Sequence, residues 1–284
     1  MDLPEYGKIS TAHESPRELA TLFREVEEYF EAGATVARGA TIVDVGANIG
    51  AFAVAAAKRA ERDLSLWCFE PVPDLYTALS QNLAENVWLK PGRHRAHNVA
   101  LSTPEESGTP CEFYYFRRFP RDSTMDLVGK RAEFDAFFAA QGARARASMR
   151  WLGPGARLIE TAIASVSKGA IGHWLSDKAT GLERLQVPRN TLSGALEGAG
   201  VSRIDLLKVD VEGAELKVLG GIDDRTWGTI QQAVIETDGS EDRTRAIVEL
   251  AKARDLPHVR VFAPPSTQER GLPNVIVLAS RADL

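Results

Sequence analysis

The sequence predicts an α/β fold: a doubly wound, mostly parallel sheet with helices on both faces, an antiparallel C-terminal edge hairpin and a long insert. Three observations predict it. Short apolar runs alternate with helical patterns on both sides of the chain's middle, which implies parallel strands joined by right-handed crossovers. The first run feeds directly into the glycine-rich turn Asp44-Val45-Gly46-Ala47-Asn48-Ile49-Gly50 and then a helix. The last two runs, Val259 to Phe262 and Val275 to Leu278, are separated by the Pro264-Pro265 loop, which fits an antiparallel hairpin at one sheet edge.

The elements follow in order. Ser15 caps a helix, Pro16 suits its first position and Glu18 completes a capping box. Leu19, Leu22, Phe23, Val26, Tyr29 and Phe30 then recur at helical spacing until Gly33, a helix that either packs on the core or covers a pocket. Thr41 to Val45 reads as a buried strand, and Ala51 to Arg59 as an alanine-rich helix after the turn. Leu64 to Phe69 is a second strand, followed by a helix from about Pro73 to Asn86 and a weaker third strand around Arg95 to Leu101. After the interruption come a strand at Ile204 to Val209, a helix through Glu215 to Leu219, a strand at Gln232 to Glu236 and a helix at Arg243 to Arg254. We therefore expect an N-terminal helical cap over 1–39 and a core over 40–284.

The interruption, 102–189, is longer than an ordinary connection. It carries Phe113, Tyr114, Tyr115, Phe116, Phe119, Phe134, Phe137, Phe138, Trp151 and Trp174, too much aromatic surface for a solvated loop. It is expected to fold onto the core or to act as a lid and substrate-binding insert. Arginines cluster in it at 117, 118 and 121 and again at 144, 146 and 150. Such runs are either solvated faces or a patch for an acidic substrate or carrier domain.

Composition bounds the function. The 284 residues are 44% hydrophobic and 26% charged with a net charge of −5, an ordinary globular balance that argues against a nucleic-acid partner. The N-terminus has neither a basic start nor an apolar core, and the apolar stretch from Ile42 to Ala57 is broken by Asp44 and Asn48, so no membrane partner is expected and the expected location is cytoplasmic. Cys68 and Cys111 have no metal or disulfide spacing, and Cys68 lies in an apolar run as a buried thiol.

The chemistry concentrates at strand ends. In an open parallel sheet, ligands bind beyond the carboxyl ends of the strands. Gly46 and Gly50 let backbone approach a ligand closely, and the helix starting near Ala51 offers amide groups. A dinucleotide turn wants glycine at position 48, where this chain has Asn48, and the preceding Asp44 would repel phosphate. A ligand with a cationic amino-acid end suits it better. Glu70, ending the second strand before Pro71, is placed to accept both ribose hydroxyls of a nucleoside, or only to cap the helix at Pro73.

Ile42 to Gly50, Phe69-Glu70-Pro71, Asn82-Leu83 and Asp205 to Glu215 together resemble the FkbM family of methyltransferases, over roughly 40–100 and 186–240. The resemblance implies a class I methyltransferase, Rossmann-like fold with S-adenosyl-L-methionine as cofactor, bound by Asp44, Gly46, Asn48, Gly50, Glu70, Pro71 and Asp210. It implies O-methylation of a hydroxyl (or carboxyl) on a small or carrier-bound natural product; the alternatives are N- or C-methylation on the same fold, or a nicotinamide-dependent oxidoreductase of the same fold class. Ser193 departs from the family pattern, which often has aspartate there. Asp210 is also a catalytic candidate. With Glu236 and Asp238 it forms a candidate set of oxygen ligands for a divalent cation such as Mg²⁺, which would lower a hydroxyl's pKa; in the other reading these acids cap helices and hold the cofactor without metal. Without metal a general base is needed, and His173, beside Trp174 in the insert, is the histidine candidate.

Overall fold

The computed structural model describes residues 1–3, 5–12, 14–86, 93–117, 120–131, 181–270 and 273–283. His173 and most of the expected insert, including the arginines at 144, 146 and 150, lie outside the described residues.

A short hairpin of β1 (Asp2–Leu3) and β2 (Gly7–Lys8) leads into α1 (Pro16–Glu31), which starts with the expected capping box: Ser15 Oγ accepts the Glu18 amide at 3.3 Å and Glu18 Oε2 accepts the Ser15 amide at 2.8 Å. Then come β3 (Ala40–Val45), α2 (Ala51–Arg59), β4 (Leu64–Phe69), α3 (Pro73–Asn86) and β5 (His94–His97). The expected third strand breaks after His97, because Asn98 turns the chain by donating to the Glu70 and Pro71 carbonyls at 2.9 Å each. Its remainder, β6 (Ala100–Leu101), leaves the sheet.

The insert leaves and returns on an antiparallel ribbon, β7 (Cys111–Phe116) against β8 (Leu182–Val187), and β9 (Arg189–Asn190) then pairs in parallel with β6. Phe113 and Tyr115 are buried in the core and Phe116 is buried as well, whereas Tyr114 on the other face of the ribbon meets Glu112 and Arg184. The second half follows as α4 (Leu192–Leu196), β10 (Leu206–Val209), α5 (Glu215–Gly220), α6 (Asp224–Trp227), β11 (Gln232–Thr237), α7 (Glu241–Ala253), β12 (His258–Phe262), α8 (Pro265–Arg270) and β13 (Val275–Ser280).

Seven strands form the central sheet in the order β5-β4-β3-β10-β11-β13-β12. Pairing is parallel from β5 through β11, and β13 runs antiparallel to both of its neighbours. The terminal pair is thus the expected hairpin, carrying a short helix between its strands, with the last strand placed inside and β12 at the edge. The sequence explains that order. Val275–Ser280 is buried almost throughout and suits an inner position, whereas β12 keeps Arg260 and Val261 exposed. From β3 the chain winds outward to β5, then returns at β10 on the other side of β3, so the crevice between β3 and β10 is the switch point.

Two apolar clusters sandwich the sheet. One gathers α1, α2 and α3, with Ala51 to Ala57 buried so that small side chains let α2 lie close to its neighbours. The other gathers α4 to α7 with Trp227 and Ile247. No helix among the described residues is long and apolar enough to cross a membrane.

The capping box is exposed and satisfies the amides at the start of α1. Ser15→Ala is expected to lower stability by about 1 kcal/mol in urea or guanidinium unfolding, with the denaturant slope unchanged.

Candidate active site

The turn after β3 is a chain of unusual backbone angles: Gly46 at φ 76°, Asn48 at 51° and Gly50 at 86°. Gly46 is compelled, since a Cβ there would lie 1.7 Å from the Asp210 carbonyl oxygen. Asn48 tolerates the left-handed region and uses its own side chain to stabilise it, Oδ1 accepting the Ile49 amide at 2.7 Å. The other turn amides are also taken. Gly46 and Ala47 both donate to the Phe69 carbonyl at 3.0 Å, Asn48 donates to Glu70 Oε2 at 2.8 Å, and Gly50 donates to the Ala47 carbonyl at 2.8 Å. The amides of 46–50 therefore all have internal partners and do not form a phosphate nest.

Glu70 is buried at the end of β4 and joins two elements: Oε2 takes the Asn48 amide and Oε1 the Val72 amide at 2.9 Å, just ahead of α3. Burial raises its carboxyl to about 7, and the two amides oppose the rise. Each oxygen keeps a further accepting position, and the residue lines the cavity described below.

Asp44 and Lys208 are direct partners in the β3–β10 register. Asp44 is 0% exposed and its Oδ1 lies 3.3 Å from Lys208 Nζ. The same ammonium donates to the Gly46 carbonyl at 2.8 Å and stands 3.4 Å from Asp210 Oδ2. Burial works against its charge, but Asp44 and Asp210 outweigh burial and raise its pKa. Burial likewise raises Asp44's carboxyl, with Lys208 opposing. Asp44 thus faces Lys208 and does not line the cavity; Asp210, with 28% of its side chain exposed, does.

The Tyr29 hydroxyl of α1 lies 2.6 Å from Glu236 Oε2 and 3.0 Å from Asp210 Oδ2, while Asn274 Nδ2 donates to Glu236 Oε1 at 3.2 Å. Asp238 is turned to other partners, accepting from the Ser240 amide and from Arg243 Nη1, each at 3.0 Å. Burial raises its carboxyl, but these donors outweigh burial and hold it below the usual range. The expected cation set of Asp210, Glu236 and Asp238 is not assembled among the described residues: Asp210 and Glu236 share the Tyr29 hydroxyl, while Asp238 is held by the Ser240 amide and Arg243. Among the described residues no group of three or more acidic, histidine or cysteine side chains could hold a metal ion.

Glu70, Lys208, Asp210, Tyr29, Glu236 and Asn274 border one cavity of about 180 Å³ at the switch point. Its floor is the glycine turn, Glu70, Pro71 and Asp210; Leu22, Val26 and Tyr29 of α1 close it on one side, and Phe113, Ser123 and Met125 from the insert's near end on another. The N-terminal helix thus both packs on the core and covers the pocket. Of the expected arginines, Arg121 reaches the cavity but is ion-paired with Glu25, and Arg117 pairs with Glu183. The described histidines His94, His97 and His258 do not line it. His97 stacks on Phe69 at 4.9 Å. Ser193 lies elsewhere, bonded to Thr226 and the Asp223 amide.

Sequence reasoning missed Tyr29 and Lys208. Tyr29 counted only as an apolar position of α1. Lys208 had a legible signal, a lone cation in the apolar strand Leu206-Leu207-Lys208-Val209.

Lys208→Met would leave Asp44 buried without its cation. It is expected to cost about 3–5 kcal/mol of unfolding free energy, and Asp44→Asn in the same chain should recover part of that loss.

The profile described as the methyltransferase FkbM domain matches residues 44–263. The chain is 33% identical to methyltransferase sdnD of Sordaria araneosa over 196 residues, 69% of this chain and 65% of that protein. It is 28% identical to AMB antimetabolite synthetase AmbE of Pseudomonas aeruginosa over 257 residues, 87% of this chain but 11% of that protein. It is 27% identical to 31-O-demethyl-FK506 methyltransferase FkbM of Streptomyces tacrolimicus over 248 residues, 86% of this chain and 84% of that protein. The match spans less than two thirds of the first of these relatives and a small part of the second. With the profile covering the glycine turn, Glu70, the β10 edge and both sheet halves, the chain belongs to the FkbM methyltransferase family.

Proposed function

We propose that this chain transfers the methyl group of S-adenosyl-L-methionine to a hydroxyl of a small or carrier-bound natural product. The observation that carries this reading is the floor of the cavity: turn amides already internally bonded, bordered by the carboxylates of Glu70 and Asp210. A dinucleotide's pyrophosphate would find no free amide in the turn and two carboxylates beside it, which disfavours the nicotinamide alternative. A cofactor with a cationic amino-acid end and a ribose fits the same groups. The oxygen acceptor is supported by one relative's name, a 31-O-demethyl-FK506 methyltransferase, and the natural-product class by that name and by an antimetabolite synthetase matching along most of this chain.

In this reading Glu70 accepts from the ribose hydroxyls through its free positions, and Asp210 meets the cofactor's ammonium group. Gly46, Asn48, Gly50 and Pro71 shape the surface against which the cofactor lies. Asp44 acts at one remove, holding Lys208 so that Asp210 and the Gly46 carbonyl keep their places. The bound cofactor supplies a methyl group on a positively charged sulfur. The protein aligns the acceptor oxygen with that group and keeps water out, and α1 with the near end of the insert forms the closing wall.

The decisive experiment is calorimetric titration with S-adenosylhomocysteine, followed by a mass-spectrometric search for a methyl gain across a panel of hydroxylated acceptors. Absence of S-adenosylhomocysteine binding would overturn the reading. A pH dependence follows from Glu70. Its ionised form is the better acceptor, and its carboxyl titrates at about 7, so binding is expected to tighten as pH rises from 6 to 8. Glu70→Gln should bind about tenfold or more weakly and flatten that dependence, measured by the same titration.

A further inference from the structure

Methylating a hydroxyl requires somewhere for its proton to go, and the carboxylates around the cavity are not equivalent in their partners. Asp210 is beside the Lys208 ammonium, Glu212 is paired with Lys130, and Asp122 shares that same lysine. Glu25 is paired with Arg121. Glu28 is held by the Ser266 amide and hydroxyl, and Glu70 by two backbone amides. Glu236 differs. Among the described residues its hydrogen-bond partners are two neutral side chains, Tyr29 at Oε2 and Asn274 at Oε1, and it is only partly buried, on the cavity wall.

Each oxygen of Glu236 therefore has one partner and an accepting position left. The Tyr29 phenol has one proton and two carboxylate neighbours, so it can donate to only one of them at a time. A second proton entering this group of three oxygens has a place to sit, on Glu236, where it can bond back to the phenol oxygen.

From this geometry, and resting on the methyl-transfer reading above, we infer that Glu236 is the general base of the reaction, with Tyr29 and Asn274 as positioning residues. The acceptor's O–C bond forms, the methyl–sulfur bond breaks with its electron pair left on sulfur, and the hydroxyl proton passes to the Glu236 carboxylate. One positive charge on sulfur and one negative charge on Glu236 disappear together, so the net charge of the closed site does not change.

The surroundings of Glu236 favour a base that works near neutrality. Burial, then the Asp210 carboxylate, raise its carboxyl, while Tyr29, Asn274 and Lys208 oppose the rise. The groups facing it are Tyr29 from α1, and Lys208 and Asp210 from the end of β10, with Asp44 of β3 behind Lys208. Glu212, Glu215 and Asp238 line the adjoining recess. A base acts in its ionised form, so the rate should rise with pH through the titration of Glu236 and level off above it.

Two measurements test this. In protein carrying 13C at the glutamate carboxyls, the resonance missing from Glu236→Gln is expected to titrate above the ordinary glutamate range, and to move higher still in Tyr29→Phe, where the ionised form has lost a donor. A resonance that titrates in the ordinary range overturns the proposal. With an acceptor converted in the product search and cofactor saturating at every pH, so that the Glu70 dependence of binding drops out, Glu236→Gln is expected to lower the transfer rate about 100-fold or more and to remove the acidic limb of the pH profile. Its S-adenosylhomocysteine affinity should stay within about threefold of wild type, and Glu236→Asp should recover part of the rate. Transfer by Glu236→Gln within about tenfold of wild type, or loss of the acidic limb in His173→Ala instead, overturns it. If wild type fails to bind S-adenosylhomocysteine, the cofactor reading falls, an outcome that the carboxyl titration keeps separate from this one.

Discussion

The site depends on one buried cation. Lys208 sits at the switch point of the sheet, opposite Asp44 in the β3–β10 register, and its ammonium reaches Asp44, Asp210 and the Gly46 carbonyl together. Burying these charges is costly, and the arrangement holds only because each has the other as partner. The consequence is geometric. The turn after β3 and the turn after β10 are fastened to a single atom, so the glycine surface and the Asp210 carboxylate keep a fixed relation. Gly46 completes the fastening from the other side, since its missing Cβ is what lets the Asp210 backbone come so close.

The helix α1 extends that constraint to the chain's two ends. Tyr29 bonds the edge of β10 and β11, and the preceding residue, Glu28, is buried with both oxygens on Ser266 in the segment before β13. Neighbouring residues of one helical turn thus join the N-terminal helix, the β10–β11 edge and the start of α8. The helix earns its place by apolar packing, with Leu19, Phe23 and Val26 buried, and its two polar contacts then set its rotation about that packing. The cavity wall it provides is apolar at Leu22 and Val26 and polar only where Tyr29 meets the carboxylates.

Much of this was legible in the sequence, because the strongest signals are local. The alternation of strands and helices, the Ser15–Glu18 box and the Asp44–Gly50 turn each depend on residues close along the chain, and the sheet forms where they place it. Glu70 stands where the strand pattern puts it, at the end of β4, with one oxygen on the Val72 amide ahead of α3 and its side chain lining the cavity. What failed was pairing between distant residues. Asp44 read as a free carboxylate because nothing nearby reveals that a lysine more than half the chain away lies opposite it. Asp210, Glu236 and Asp238 read as one ligand set because they end neighbouring strands. Strand-end position does not specify side-chain partners, and Tyr29 and Arg243 arrive from helices on opposite sides. The inner placement of β13 was missed for a related reason, since the hairpin pattern gives pairing but not order.

A single departure from the dinucleotide fingerprint alters what the turn can offer a ligand. A glycine at position 48 would reach the same left-handed angle but bring no side chain. Asn48 reaches it and returns its side-chain oxygen to the Ile49 amide, while its own amide goes to Glu70. Two donors that a phosphate would need are thereby removed, and a carboxylate is drawn against the turn. On the methyl-transfer reading, the selection is made by the same hydrogen bonds that stabilise the turn, and they favour a ligand that offers donors and positive charge instead of asking for them.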